Sequence, residues 1–175
     1  MVANISDFIS KFPKDLARPC NFTVKITAPI LDSYSSQELT FKCEASELPS
    51  RTFSLVEQKT YGPVQQFPIQ NFYDKHNLTF LCSDDMREKK LFDRWMDNIS
   101  DSTISSAFGV KFDFKYKDTY AGQIEIIQYD VTGKESFNVK LIEAFPISVH
   151  PLKLDWGADN EVHKLMVTFA YRYTQ

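Results

Sequence analysis

Hydrophobic and polar positions alternate most regularly near the C-terminus. Within Ala144–Tyr173, the residues Val162, Leu165, Val167, Phe169, Tyr171 and Tyr173 sit mostly two apart, with Lys164, Met166, Thr168, Ala170 and Arg172 between them. Successive side chains of a strand point to opposite faces, so this spacing predicts a strand with one buried and one adaptable face. The run before it carries Pro146 and Pro151, which lack an N–H and mark strand starts, edges or bends. Gly157–Asn160 reads as the turn between the two runs, which together predict a long terminal hairpin.

The same period recurs upstream. Phe22, Val24 and Ile26 predict a strand over Asn21–Thr27. Pro29–Gln37 reads as a turn-rich loop, and Leu39, Phe41 and Cys43 predict a second strand over Glu38–Ser46. Leu78, Phe80 and Cys82 mark a short strand over Asn77–Ser83. Gly122–Tyr129 and Ser136–Glu143 predict a hairpin across Asp130–Lys134, with Ile124, Ile126, Val139 and Leu141 on its core face. Asp101–Lys111 reads as a polar connector, after which Phe112, Phe114 and Tyr116 alternate with charged residues.

Two stretches follow other patterns. Leu91, Phe92, Trp95, Met96 and Ile99 form one apolar stripe at helical spacing, so Asp85–Ser100 predicts a helix packed on a sheet. Asp85 and Glu88, three apart, predict a capping box at its start. In Arg51–Gln70, two β-prone flanks meet at Tyr61-Gly62-Pro63, and their apolar residues favour neither face. That predicts a hairpin whose faces both need cover, an arm reaching to another subunit or an ordinary surface hairpin; Pro68 weakens the return strand. Met1–Lys14 reads as a short helix or loose arm, with Ile5, Phe8, Ile9 and Phe12 at helical spacing.

The ordered set Phe145-Pro146, Leu152-Lys153-Leu154-Asp155-Trp156, Asn160-Glu161 and Val167-Thr168-Phe169-Ala170-Tyr171-Arg172-Tyr173 resembles the C-terminal end of the tail tube proteins of contractile-tailed, T4-like bacteriophages. Ala17-Arg18-Pro19 with Asn21–Ile26 resembles the family's first strand, and Phe41–Pro49 its second strand and exit. The resemblance spans roughly residues 15–173. It implies a structural subunit of stacked hexameric rings forming a conduit for double-stranded DNA. It implies the tail sheath, the baseplate or tube initiator and the tail terminator as partners, and a place in the virion after assembly in the host cytoplasm. A tube initiator, or the inner tube of a contractile injection system, is a variant of the same reading. A monomeric β-barrel that binds a small ligand, or an enzyme, is the alternative of a different class.

Composition narrows these options. A chain of 175 residues reads as one domain, with an N-terminal arm over 1–14 and the hairpin arm over about 51–70. Such a chain buries about 70% of its unfolded surface and needs no disulfide or metal. A hydrophobic content of 43% with 15 Phe excludes disorder as the main state, and a net charge of −3 gives no basic nucleic-acid surface. No run reaches the roughly 18 apolar residues of a membrane span, so no membrane insertion is expected. Met1–Phe12 has no basic head or continuous apolar core, so no secretory signal is expected. The three cysteines, Cys20, Cys43 and Cys82, have no CxxC spacing and are expected to be reduced and buried.

The chemistry-bearing residues do not converge. His76, His150 and His163 lie apart and are expected at surfaces or interfaces. There is no HExxH, no GxSxG and no His/Cys ligand spacing. Thr132-Gly133-Lys134 fails the phosphate-loop pattern because Gln128 stands where a glycine is needed. No catalytic residue, cofactor or metal is expected.

The fold expected is mainly β, an antiparallel sandwich or partly open barrel with one packed helix. By the resemblance, the arm bridges neighbouring subunits and stacked rings, with contacts from Phe53, Leu55, Val56, Tyr61, Pro63, Val64 and Phe67. The hairpins Gly122–Glu143 and Ile147–Tyr173 are expected to supply the bore-side sheet. Glu125, Asp130, Glu135 and Glu143 are candidates for the lumen or its rim, since an acidic or neutral wall keeps a duplex mobile. A one-residue register error would exchange the faces.

Overall fold

The computed structural model describes residue 5 and residues 16–105, 109–157 and 161–175. The predicted N-terminal helix therefore lies outside the described residues, apart from Ile5, which is helical and exposed.

The central sheet is antiparallel and open, in the order β1 (Phe22–Thr27), β8 (Gly122–Tyr129), β9 (Glu135–Val149), β10 (Lys164–Ala170), β5 (His76–Leu81), β2 (Cys43–Ser46), with β11 (Tyr173–Thr174) also on β9. The predicted alternations place its core. Val24 and Ile26 of β1 face Ile126 and Ile124 of β8, which face Val139 and Leu141 of β9. Leu165, Val167 and Phe169 of β10 are buried against Phe80 and Leu78 of β5. Gly122 is required where β8 passes β1, because a Cβ there would overlap the Thr27 carbonyl and the Ala28 side chain.

β9 is long because it serves two groups of strands. Its first part pairs β8 and β11, and its end pairs β10. The change falls at Glu143, a bulged residue at φ +56 between partners Ile142 and Ala144. The C-terminal run divides at the same level. β10 leaves β9 after Ala170, and the Arg172 N–H donates to the Ile142 carbonyl at 3.0 Å before Tyr173 rejoins β9. The terminal hairpin is thus real but shorter than predicted. Strand pairing stops at Val149 and Val167, residues 150–157 and 161–163 lie outside any strand, and 158–160 of the predicted turn lie outside the described residues.

Three predicted elements are corrected. Ser33–Lys42 is a helix, α1, in place of the loop and the start of a strand. The Asp32 carboxylate accepts the Ser35 N–H at 3.1 Å as an N-cap, and Leu39 alone of the alternating set is buried while Phe41 is exposed. The Ser36 hydroxyl donates to the Ile26 carbonyl, tying α1 to β1. The polar connector is instead a hairpin of β6 (Ser100–Ser105) and β7 (Gly109–Phe114), held by cross-strand pairing that its polar composition does not announce. A short helix α3 (Lys117–Tyr120) leads into β8.

The predicted stripe helix is α2 (Arg87–Ile99), with Phe92 and Trp95 in the core. No capping box forms. Met86 is the N-cap in a left-handed conformation, φ +53, without a side-chain cap. Glu88, 2% exposed, turns back to accept the Ser83 N–H at 2.9 Å and the Ser83 hydroxyl at 2.8 Å. It also meets the Lys42 ammonium, which binds Glu38 at 2.5 Å, so the pair clamps α1 to the start of α2. Burial pushes the Glu88 carboxyl up, but the bonds from Lys42 and Ser83 outweigh it and hold the group at about 2.

A depressed folded pKa contributes stability above the ordinary value of 4.5 that is lost as pH falls towards about 2. Over that window the contribution is roughly 3 kcal/mol. Glu88→Gln is therefore expected to flatten the acid limb of stability between those values. Urea unfolding of both proteins across that pH range checks it, and parallel curves would contradict the role given to this carboxylate.

Candidate functional site

The arm stands apart from the central sheet. β3 (Arg51–Gln58) and β4 (Gln65–Tyr73) pair with each other and, among the described residues, with no other strand. The turn uses Gly62 at φ +113, a conformation suited to glycine. Pro68, expected from its missing N–H to weaken the return strand, stands opposite Leu55 where the register shifts, so the irregularity is absorbed there. The return strand therefore continues to Tyr73. At the root, the Ser50 hydroxyl donates to Asp74 at 2.6 Å, and Tyr73 packs on Tyr171 with ring centroids 5.8 Å apart.

The arm keeps its apolar residues bare. Phe53, Leu55, Val56, Tyr61, Pro63, Val64 and Phe67, the contact residues named from sequence, are all exposed. Ile69 and Phe72 are exposed as well. The contact set expected from the sequence left them out: Phe72 lies beyond the expected end of the arm at Gln70, and for Ile69 the apolar alternation with Phe67 was the available signal. An extended two-stranded ribbon with apolar side chains on both faces gains little by remaining in water.

The second candidate surface is the face of β1, β8 and β9 opposite the core. Lys25, Glu125 and Lys140 stand side by side across the three strands. Glu125 accepts the Asn138 amide at 2.9 Å and lies 3.6 Å from Lys140. Its carboxyl is held below the usual range by the Asn138 hydrogen bond first, then by Lys140 and Lys25. Ile127, two residues along the same face, is buried, so part of this face is covered.

The four acidic candidates do not form one cluster. Asp130 lies in the β8–β9 turn, where its carboxylate accepts the Thr132 N–H, and Glu135 begins β9 opposite Tyr129. Glu143 lies at the other end of the hairpin, beside Gly122, and binds Lys117 at 2.6 Å and Arg172 at 2.8 Å. Those two cations hold its carboxyl low, Lys117 first. Glu125 alone sits on the sheet face, neutralised by its neighbours.

His76 and Cys20 depart from their expected places. His76 is buried at the start of β5, 3.3 Å from the Ser46 hydroxyl, and burial pushes its pKa down to about 4. His150 Nε2 lies 3.0 Å from the Thr168 hydroxyl, which donates to Asn77 at 2.8 Å. Buried polar side chains find such partners because an unpaired one is costly. Cys20 is exposed rather than buried, while Cys43 and Cys82 are partly buried, and burial pushes the Cys43 thiol up to about 12. Among the described residues no group of three His, Cys, Asp or Glu could hold a metal ion, and no helix is long and apolar enough to cross a membrane.

Known proteins are similar to this chain in sequence and in fold. Residues 17–174 match the model of the family described as phage tail tube protein. The chain is 28% identical over 171 residues to tail tube protein gp19 of Enterobacteria phage T6, covering 91% of each. It is 25% identical over 163 residues to tail tube protein gp19 of Enterobacteria phage T4, again covering 91% of each. In fold it is similar to a chain of the anti-feeding prophage baseplate, at TM-score 0.67, 12% identity and coverage of 93% and 95%. A chain of the sheath–tube complex of an extracellular contractile injection system gives 0.62, 14% and coverage of 99% and 97%. With its mainly β, open antiparallel architecture and a family match that runs from before β1 to β11, the chain belongs to the phage tail tube protein family.

Proposed function

We propose that this tail tube subunit closes into hexameric rings that stack into the conduit through which double-stranded DNA leaves the virion. The observation that carries the ring is the open sheet. Its path ends at β1 and β2, each with one strand partner among the described residues, and such edges invite pairing that a closed ring of copies satisfies. The bare arm supplies contacts between rings. In this reading the chain has no enzymatic activity, lies within the virion after assembly in the host cytoplasm, and meets the sheath, the baseplate or tube initiator, and the terminator.

The face bearing Lys25, Glu125 and Lys140 forms the bore wall, with Asp130 and Glu135 towards one rim and Glu143 towards the other. A continuous basic track would release counterions and grip the duplex. Here the carboxylate of Glu125 lies between the two ammonium groups and weakens any such track.

Negative-stain microscopy of the purified chain tests the reading, with rings or tubes showing sixfold end views expected. A chain that stays monomeric by sedimentation at every concentration would overturn it in favour of a ligand-binding barrel.

A further inference from the structure

The loop between β9 and β10 holds the most exposed apolar group outside the arm. Residues 151–156 and 161–164 line a concavity of about 620 Å³, with Leu152, Leu154, Trp156, Val162 and His163 on its wall and Glu161 at its rim. Trp156 is wholly exposed and Leu154 is 84% exposed, in a chain that buries its other tryptophan completely. Solvated apolar surface gathered in a concavity is a binding surface in want of a partner.

Position identifies the partner. β5 and β10 are antiparallel, with His76 opposite Phe169 at one end and Lys164 opposite Leu81 at the other. The arm enters β5 at the His76 end, through Asp74 and Lys75, and the loop enters β10 at the Lys164 end. Arm and concavity thus lie at opposite ends of the same pair of strands, roughly 20 Å apart for six residues at strand rise. The arm is exposed along its length, so it does not fold back over the body to reach the concavity of its own chain.

The chemistry of the two ends matches. The arm tip presents Tyr61, wholly exposed, with Val64 beside it. It also carries Lys59, whose ion pair with Glu57 is loose at 3.7 Å. At the concavity, Lys153 is held by Asp155 at 3.0 Å and Lys164 by Glu44 at 2.5 Å. Glu161 has no hydrogen-bond or ion-pair partner among the described residues, which leaves one acid at the rim for one cation at the tip.

We infer that the Tyr61 tip of one copy seats in the Leu154–Trp156–Val162 concavity of a second copy, with Lys59 against Glu161. The contact joins unlike surfaces at opposite poles, so it is heterologous, and such a contact extends as a stack wherever its rotation does not close on itself. That suits stacking of rings along an axis, and the inference rests on the tube reading for the identity of the second copy.

Two variants in a Cys20→Ser background, one carrying Tyr61→Cys and the other Trp156→Cys, separate the possibilities. When they are mixed with a short bismaleimide, the cross-linked dimer is expected at about tenfold the yield of either variant alone. Lys59→Glu or Glu161→Lys alone is expected to lower that yield about tenfold, and the two together to restore it. Rings or tubes without the cross-link would overturn the seating and leave the tube reading standing. A cross-link formed within one chain, or no recovery in the double reversal, would also overturn it. A parent chain that forms neither rings nor tubes would remove both readings. All these positions are exposed in the single copy, and unchanged circular dichroism verifies that each variant is folded.

Discussion

Trp95→Ala is expected to destabilise the chain by about 3–5 kcal/mol, the range for emptying a large aromatic site in a packed core. Trp95 is completely buried between α2 and the sheet. It stacks beside Phe92 at 6.4 Å and meets Phe169 of β10 edge-on at 6.1 Å, while Phe80 of β5 lies 5.1 Å from Phe92. Aromatic pairs at such separations contribute beyond their buried area. The indole N–H also donates to the Tyr120 carbonyl at 2.9 Å, fixing α3 where the chain enters β8. Alanine would therefore open a cavity and leave that carbonyl without its donor. Trp95→Phe keeps most of the ring and loses the hydrogen bond, so it is expected to cost about 1 kcal/mol from that bond, plus a smaller packing loss. Urea unfolding of the two variants checks both values. A loss below about 1 kcal/mol for the alanine variant would show that α2 is peripheral.

Deletion of Lys59–Pro68 is expected to leave the body folded and to abolish long tubes. The deleted segment contains the tip and half of the return strand, and β3 and β4 contribute no residue to the buried core. Loss of an exposed ribbon removes little burial, so the unfolding free energy is expected to stay within about 0.5 kcal/mol of the parent. The sheet edges proposed for ring closure remain, and electron microscopy is expected to show single rings without stacks. Long tubes formed by the deletion variant would show that the arm does not bridge rings.

Elements with one side in the core were legible in the chain before any coordinates. The alternations at Val24–Ile26, Ile124–Ile126, Val139–Leu141 and Leu165–Phe169 recur in the structure with the named faces buried, because a half-buried strand must separate apolar from polar residues at a period of two. The α2 stripe was readable for the corresponding helical reason. The arm was readable from the opposite sign, apolar residues on both faces with no local core to bury them.

What the tertiary structure alone decided depends on contacts between distant residues. Leu39, Phe41 and Cys43 alternate as in a strand, yet Asp32 caps a helix there and Ser36 anchors it on β1, so one Leu inward sufficed. Glu88 stands where a capping box needs it but serves Lys42, distant in sequence, because a buried carboxylate settles on the partners that neutralise it best. β6 has too little apolar content to mark it, although the Phe112, Phe114 alternation marks the end of β7, and backbone pairing between the two makes β6 a strand. The crossing of β9 from one group of strands to the other at the Glu143 bulge is set by its pairing with β8, β11 and β10, which come from distant parts of the chain. The opposite placement of arm and loop likewise emerges only once β5 and β10 are paired. Local periodicity records whether one side of a segment is dry; it carries no record of which distant segment keeps it dry.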